Sequence, residues 1–179
     1  MTLESADERH LLRTIELAAS ARAAGNHPFG SLIVGASGDV LEAENSVVTE
    51  GDVTGHAELN VVRAASVALG DAVLQGATLY TSTEPCAMCA GAIYWAGIGR
   101  VVYALGSDTL TAIVQDPTED STLRLPCREV FARGGRRVEV SGPHLVEQAS
   151  ACTRGAASSP AWSTLDTSRA TPPAAPAGG

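Results

Sequence analysis

Three side chains of this sequence can share one ion, and a fourth can carry protons beside it. Cys86 and Cys89 stand three apart in Pro85-Cys86-Ala87-Met88-Cys89. Positions i and i+3 of a helix share a face, so the two sulfurs can converge on one metal. His56 adds a nitrogen donor from the start of an earlier helix. Three protein ligands leave the fourth tetrahedral position of Zn2+ to water, which marks a catalytic rather than a structural site. Zinc brings the pKa of such a water toward neutrality. Glu58, two residues after His56, can reach the cavity without ligating. It can take a proton from water, give it to a ring nitrogen and then protonate a departing amine. A lone CxxC pair fits a structural zinc or a redox site equally well. The other cysteines, Cys127 and Cys152, form no second CxxC, and His-x-Glu weighs toward catalysis. The non-enzymatic alternative, a zinc-binding interaction module, would leave Glu58 idle.

The elements that must position these residues follow from patterning. Ser5 and Glu8 resemble a capping box ahead of Leu11, Leu12, Ile15 and Leu17, which predicts a first helix ending near Gly25. Gly30–Gly35 and Val40–Val47 read as a hairpin around Ser37-Gly38-Asp39. A glycine-bounded link, Gly51–Gly55, leads into a helix from His56 to Leu69. Ala77–Thr81 reads as a buried strand, Ala87–Ala96 as an apolar helix and Arg100–Leu105 as another strand. Both helix N-termini then face the metal, and their partial positive charge favours thiolates. Gly106–Pro126 is polar and weakly patterned, hence a loop with at most a helical turn. Cys127–Arg133 is a short helix, Arg137–Ser141 a last strand and Leu145–Thr153 a last helix. Helices alternating with strands imply a three-layer α/β domain with a mixed sheet. Residues 1–153 form that domain. Residues 154–179, rich in Ala, Ser, Thr, Pro and Gly, form a tail expected to be disordered.

Composition narrows the partners. The chain has 179 residues, 45% of them hydrophobic, and a formal net charge of −8. Every basic side chain is Arg, which excludes lysine Schiff-base chemistry. An acidic chain argues against a broad phosphate-binding surface and for a small ligand; Arg133, Arg136 and Arg137 make its only dense basic stripe. No apolar run reaches membrane-spanning length, and residues 1–13 lack the apolar core of a signal peptide. A cytoplasmic setting is expected, without membrane or nucleic-acid partners.

His-x-Glu followed by Pro-Cys-x-x-Cys is the signature of the zinc deaminases, and the chain resembles the cytidine deaminase superfamily from about Leu11 to Leu105, more loosely to Val146. That resemblance implies a five-stranded sheet with the zinc helices on one side, one Zn2+ held by His56, Cys86 and Cys89, Glu58 as the catalytic acid–base, and a homodimer. Thr83-Glu84-Pro85-Cys86 and Gly91-Ala92-Ile93-Tyr94-Trp95-Ala96 look most like bacterial guanine deaminases. Pro28-Phe29-Gly30 and Asn45 fall where those enzymes and tRNA adenosine deaminases hold their base. By the same resemblance Phe29 and Trp95 pack against the base, Asn45 hydrogen-bonds it, and the Ala57 N–H meets a ring carbonyl. An acidic residue after the fourth strand reads the amino edge: Asp108, Asp116, Glu119 and Asp120 are the candidates, with Asp116 taken first. Three alternatives oppose the pocket roles: Phe29 or Trp95 as core, Trp95 as dimer contact, and Asn45 as a residue that simply satisfies a turn after its strand. Cys127 is either a buried thiol without a role or a pocket-lining residue. The implied reaction is hydrolytic deamination of a nucleobase or small nucleoside, guanine first. Cytosine or cytidine, an aminopurine nucleoside, a pterin-type ring and tRNA adenosine are the alternatives.

Overall fold

A computed structural model describes residues 3–114 and 123–154. Its five strands are β1 (Gly30–Val34), β2 (Val40–Glu44), β3 (Thr78–Thr83), β4 (Arg100–Leu105) and β5 (Glu139–Ser141), in the order β2-β1-β3-β4-β5. β1 runs antiparallel to both β2 and β3, whereas β3, β4 and β5 are parallel. The sheet is therefore mixed, as patterning required. The helices are α1 (Ser5–Ala23), α2 (Val47–Glu50), α3 (Ala57–Ala68), α4 (Asp71–Gln75), α5 (Ala87–Trp95), α6 (Ser107–Val114), α7 (Cys127–Ala132) and α8 (Val146–Arg154).

The central strands are buried on both faces, and their alternating side chains feed two cores. On one side Ile33, Leu79 and Val101 pack with Val61, Val62 and Ala65 of α3, Ile93 of α5 and Phe131 of α7. On the other, Leu32, Tyr80 and Val102 pack with Leu11 of α1, Ala149 of α8 and the partly buried Leu110 and Ile113 of α6. Period-two alternation in the sheet thus separates two helical layers. Gly30 lets α1 lie against β1: a Cβ there would overlap Leu17 and the Thr14 carbonyl.

Three expectations are corrected. Ser5 is the first residue of α1 and Glu4 its N-cap, with no side-chain capping bond, so the capping box does not form. β2 stops at Glu44 and the chain turns into α2, because Asn26 Oδ1 accepts the Val48 and Thr49 N–H groups at 3.0 Å each and pulls them off the sheet. Part of the weakly patterned stretch is helical: α6 turns Leu110 and Ile113 onto α8. The short α4 had no periodic signal. Asp116, Glu119, Asp120 and the tail from residue 155 onward lie outside the described residues.

One polar cluster holds α1 to the sheet. Arg100 at the start of β4 donates to both oxygens of buried Asp7 at 2.8 and 2.7 Å, and the Tyr80 hydroxyl donates to Asp7 at 2.7 Å. The Arg100 hydrogen bonds hold the Asp7 carboxyl below its ordinary value near 3.8, against the opposing effect of burial. A carboxylate depressed in the fold contributes stability above its unfolded pKa and loses it as pH falls through the folded one. Asp7→Asn should therefore cost about 1–3 kcal/mol at pH 7. The gap from the unsubstituted protein should shrink as the pH falls below about 4. Urea melts of both proteins across pH 3–7 measure it; a gap independent of pH would remove the ion pair from the account.

Candidate active site

Two helix starts meet at the site. His56 is the N-cap of α3 and Cys86 the N-cap of α5, and Cys89 lies one turn into α5. Both helices descend from loops at one end of the parallel strands, so their N-termini converge. His56 Nδ1 lies 3.7 Å from Cys86 Sγ and 3.5 Å from Cys89 Sγ, and the two sulfurs are 3.6 Å apart. A tetrahedral zinc with Zn–S near 2.3 Å and Zn–N near 2.0 Å has S···S edges of about 3.8 Å and N···S edges of about 3.5 Å. The donor triangle therefore fits one Zn2+. Among the described residues it is the only cluster of metal-binding side chains that could hold an ion.

The electrostatics suit the same use. The hydrogen bond from Cys89, assisted by His56, lowers the Cys86 thiol to about 4, so a thiolate is present at neutral pH. Cys89 is pushed up by that same bond and by burial, and holds the proton the pair shares until a cation takes its place. His56 is raised chiefly by its contact with Cys86.

Glu58 sits in the first turn of α3 and is 6% exposed. Its Oε1 accepts the Thr81 hydroxyl of β3 at 3.1 Å, and its Oε2 is 3.7 Å from Cys89 Sγ. Burial raises its pKa above the usual carboxylate range, the direction that favours holding a proton as well as releasing one. Thr81 is a site residue that sequence reasoning missed; a threonine in an apolar strand carries no sign of its partner.

The other expected residues divide. The Asn45 N–H donates to the Phe29 carbonyl at 3.0 Å, so these two stand side by side at the end of the β1–β2 ladder. Asn45 is 1% exposed; its Oδ1 accepts the Val47 N–H, and its Nδ2 has no acceptor. It is the one buried side-chain nitrogen or oxygen without a partner among the described residues, and such a donor costs about 1–3 kcal/mol. Phe29 is half-buried with His27 at its edge, ring centroids 6.3 Å apart. Ala57 is fully buried and opens α3, where an N–H has no intrahelical acceptor.

Trp95 is not brought to this cluster. It ends α5, is 85% exposed and meets Tyr94 edge-on at 5.8 Å, an exposure that excludes the core alternative. Asp108 is exposed in the first turn of α6. Cys127 is buried outside the donor triangle, its thiol pushed up to about 12 by burial beside Glu84.

Glu84, next to Pro85 and Cys86, also escaped sequence reasoning. Its Oε2 accepts the Ser107 N–H and hydroxyl at 3.1 and 3.0 Å, its Oε1 accepts the Cys127 N–H at 3.2 Å, and its own N–H donates to Leu105. The turn into the cysteine helix is thereby tied to β4 and to the starts of α6 and α7. No helix among the described residues is long and apolar enough to cross a membrane.

Known proteins share this arrangement. A sequence model of the cytidine and deoxycytidylate deaminase zinc-binding region matches residues 4–105. A probable cytosine deaminase of Schizosaccharomyces pombe is 37% identical over 147 residues, 82% of this chain and 90% of that protein. The guanine deaminase of Bacillus subtilis is 45% identical over 98 residues, 54% of this chain and 63% of that one. In structure, a guanine deaminase from Nitrosomonas europaea superposes with a TM-score of 0.71 at 27% identity, covering 87% of each chain. With a five-stranded mixed sheet, a donor triangle sized for zinc and a family match over more than half its length, the chain belongs to the cytidine and deoxycytidylate deaminase family and is a zinc-dependent hydrolytic deaminase.

Proposed function

We propose that the enzyme hydrolyses the exocyclic amine of a free nucleobase, guanine first, with His56, Cys86 and Cys89 as metal ligands and Glu58 as the proton carrier. The observation that carries this reading is the buried Glu58 carboxyl, braced by Thr81 on one oxygen and beside a ligand sulfur with the other. The metal, when bound, supplies the Lewis acidity that makes water a nucleophile near neutral pH. Glu58 accepts the first proton of the attacking water on Oε2 and passes it to the ring nitrogen next to the reacting carbon; it then takes the remaining proton from the new hydroxyl and delivers it to the amine as the C–N bond breaks and the carbonyl forms. The products are the ring carbonyl and ammonia.

Asn45 and Ala57 orient the base. The unpartnered Asn45 Nδ2 supports a role as donor to a ring acceptor, and the free N–H at the start of α3 supports one for Ala57. Phe29 forms the pocket wall beside Asn45, and an acidic residue after β4, Asp116 first, reads the amino edge. Residues 1–153 are the deaminase unit. Trp95 is assigned to a contact between two copies: Met88 and Trp95 are exposed on α5, and a Cβ at Gly91 between them would meet nothing. A homodimer that covers this stripe follows. A cytoplasmic setting suits two free thiolate ligands.

Guanine is favoured by the likeness to the two guanine deaminases; cytosine is the second reading, favoured by the longer match to the Schizosaccharomyces pombe protein. An ammonia-release assay of the zinc-loaded protein on guanine, cytosine, adenine, their nucleosides, other aminopurines and pterins separates them. Guanine is expected to give the highest kcat/KM. Turnover of cytosine with guanine inert would overturn the purine reading.

A further inference from the structure

The loop from residue 45 to residue 55 connects β2 to α3 and carries Asn45. Asn60 reaches into it from α3. Its Nδ2 donates to the Glu44 carbonyl at 2.9 Å and to the Ser46 hydroxyl at 3.0 Å, and lies 3.4 Å from the Gly55 carbonyl. Two of these partners are carbonyl oxygens, which can only accept, so the orientation of the amide is fixed by its surroundings. The two short bonds fall on the residues immediately before and after Asn45. Asn60 therefore grips the backbone on both sides of Asn45, whose Nδ2 is the buried side-chain donor without an acceptor among the described residues.

The grip is braced further. The Ser46 hydroxyl passes its own proton to Glu50 at 3.0 Å, and the Ser46 N–H donates to the Gly55 carbonyl at 2.8 Å. A side chain at Gly55 would bring its Cβ to 2.8 Å from Ser46 Oγ, so glycine keeps the hydroxyl within reach of Asn60. Asn60 also lies on the helix that begins with His56 and Glu58, and its N–H donates to the His56 carbonyl at 2.9 Å. One residue thus fixes the distance between the helix that holds the proton carrier and the backbone that aims Asn45.

We propose that Asn60 is a positioning residue for base recognition: it holds Asn45 in register with Glu58 and acts on the substrate only through Asn45. The proposal rests on the recognition role given to Asn45 above. The two short bonds bracket one position, and the longer contact falls on Gly55, whose carbonyl also holds the Ser46 N–H beside Asn45.

The test is a double-mutant cycle with guanine as substrate, joined to amide hydrogen exchange on the substrate-free, zinc-loaded protein. Asn60→Ala should keep its zinc content and far-ultraviolet spectrum, exchange the amides of residues 45–55 roughly tenfold faster and lower kcat/KM roughly tenfold. In an Asn45→Ala background the same substitution should cost nothing further, because the residue it positions is gone. Asn60→Asp, of equal size but without the donor, should behave like Asn60→Ala and serves if the alanine variant does not fold. Unchanged exchange in residues 45–55, or a second full loss in the Asn45→Ala background, would overturn the proposal. If Asn45→Ala keeps full activity, the recognition role of Asn45 fails and the proposal with it. If the unsubstituted enzyme leaves guanine untouched and turns over another base, the purine reading alone fails and the cycle is run on that base.

Discussion

Glu58→Gln is expected to retain its full zinc content and lose turnover by about 10³- to 10⁴-fold, near the upper end of what a positioned acid–base contributes. The substitution changes little but proton affinity. Glutamine has the same length and still accepts the Thr81 hydroxyl on its oxygen, so the brace at 3.1 Å survives. The donor triangle does not include Glu58, so metal binding is untouched. What is lost is a carboxyl whose pKa burial raises above the usual carboxylate range, and an amide cannot take up or return a proton there. Bound zinc measured by atomic absorption, beside steady-state release of ammonia, separates the two effects. A variant with zinc and more than a tenth of normal kcat would take Glu58 out of the mechanism.

Cys89→Ala has the opposite profile: metal and activity vanish together. Cys89 is fully buried one turn inside α5, and alanine leaves no donor where its sulfur stood. Outer-shell partners of a zinc site are worth about 10- to 100-fold in affinity, and a direct ligand should exceed that. Stability falls as well. A ligand that binds only the folded chain at a thousand times its Kd contributes about 4 kcal/mol, and Cys89→Ala forfeits that contribution. The thermal midpoints of the variant and the unsubstituted protein should therefore differ in zinc buffer and converge in excess chelator. Stoichiometric zinc in the variant would refute the ligand set.

How far the sequence foretold this site depended on whether a signal was local. Cys86 and Cys89 are three residues apart, and helical geometry converts that spacing into a shared face; the two-residue step from His56 to Glu58 puts those side chains on different faces of the start of α3, so they need not play the same part. β4 and α5 were legible for a local reason too, because their largely apolar runs left one reading. Partners far apart in the chain were illegible. Thr81 braces Glu58 across 23 positions and Glu84 reaches Cys127 across 43, and neither residue type announces such a bond. The exposure of Trp95 was equally illegible: an apolar helix reads as core, yet the last side chain of α5 is 85% exposed. At α2 a long-range bond overrode local pattern: Val47 extends the apolar alternation of β2, and only the distant Asn26 turns the chain away.

Ser107 and Cys127 are moored to a single carboxylate. Glu84 thus works as a keystone: two helix starts far apart in the chain lean on one side chain, and the turn that delivers Cys86 is steadied from both flanks at once.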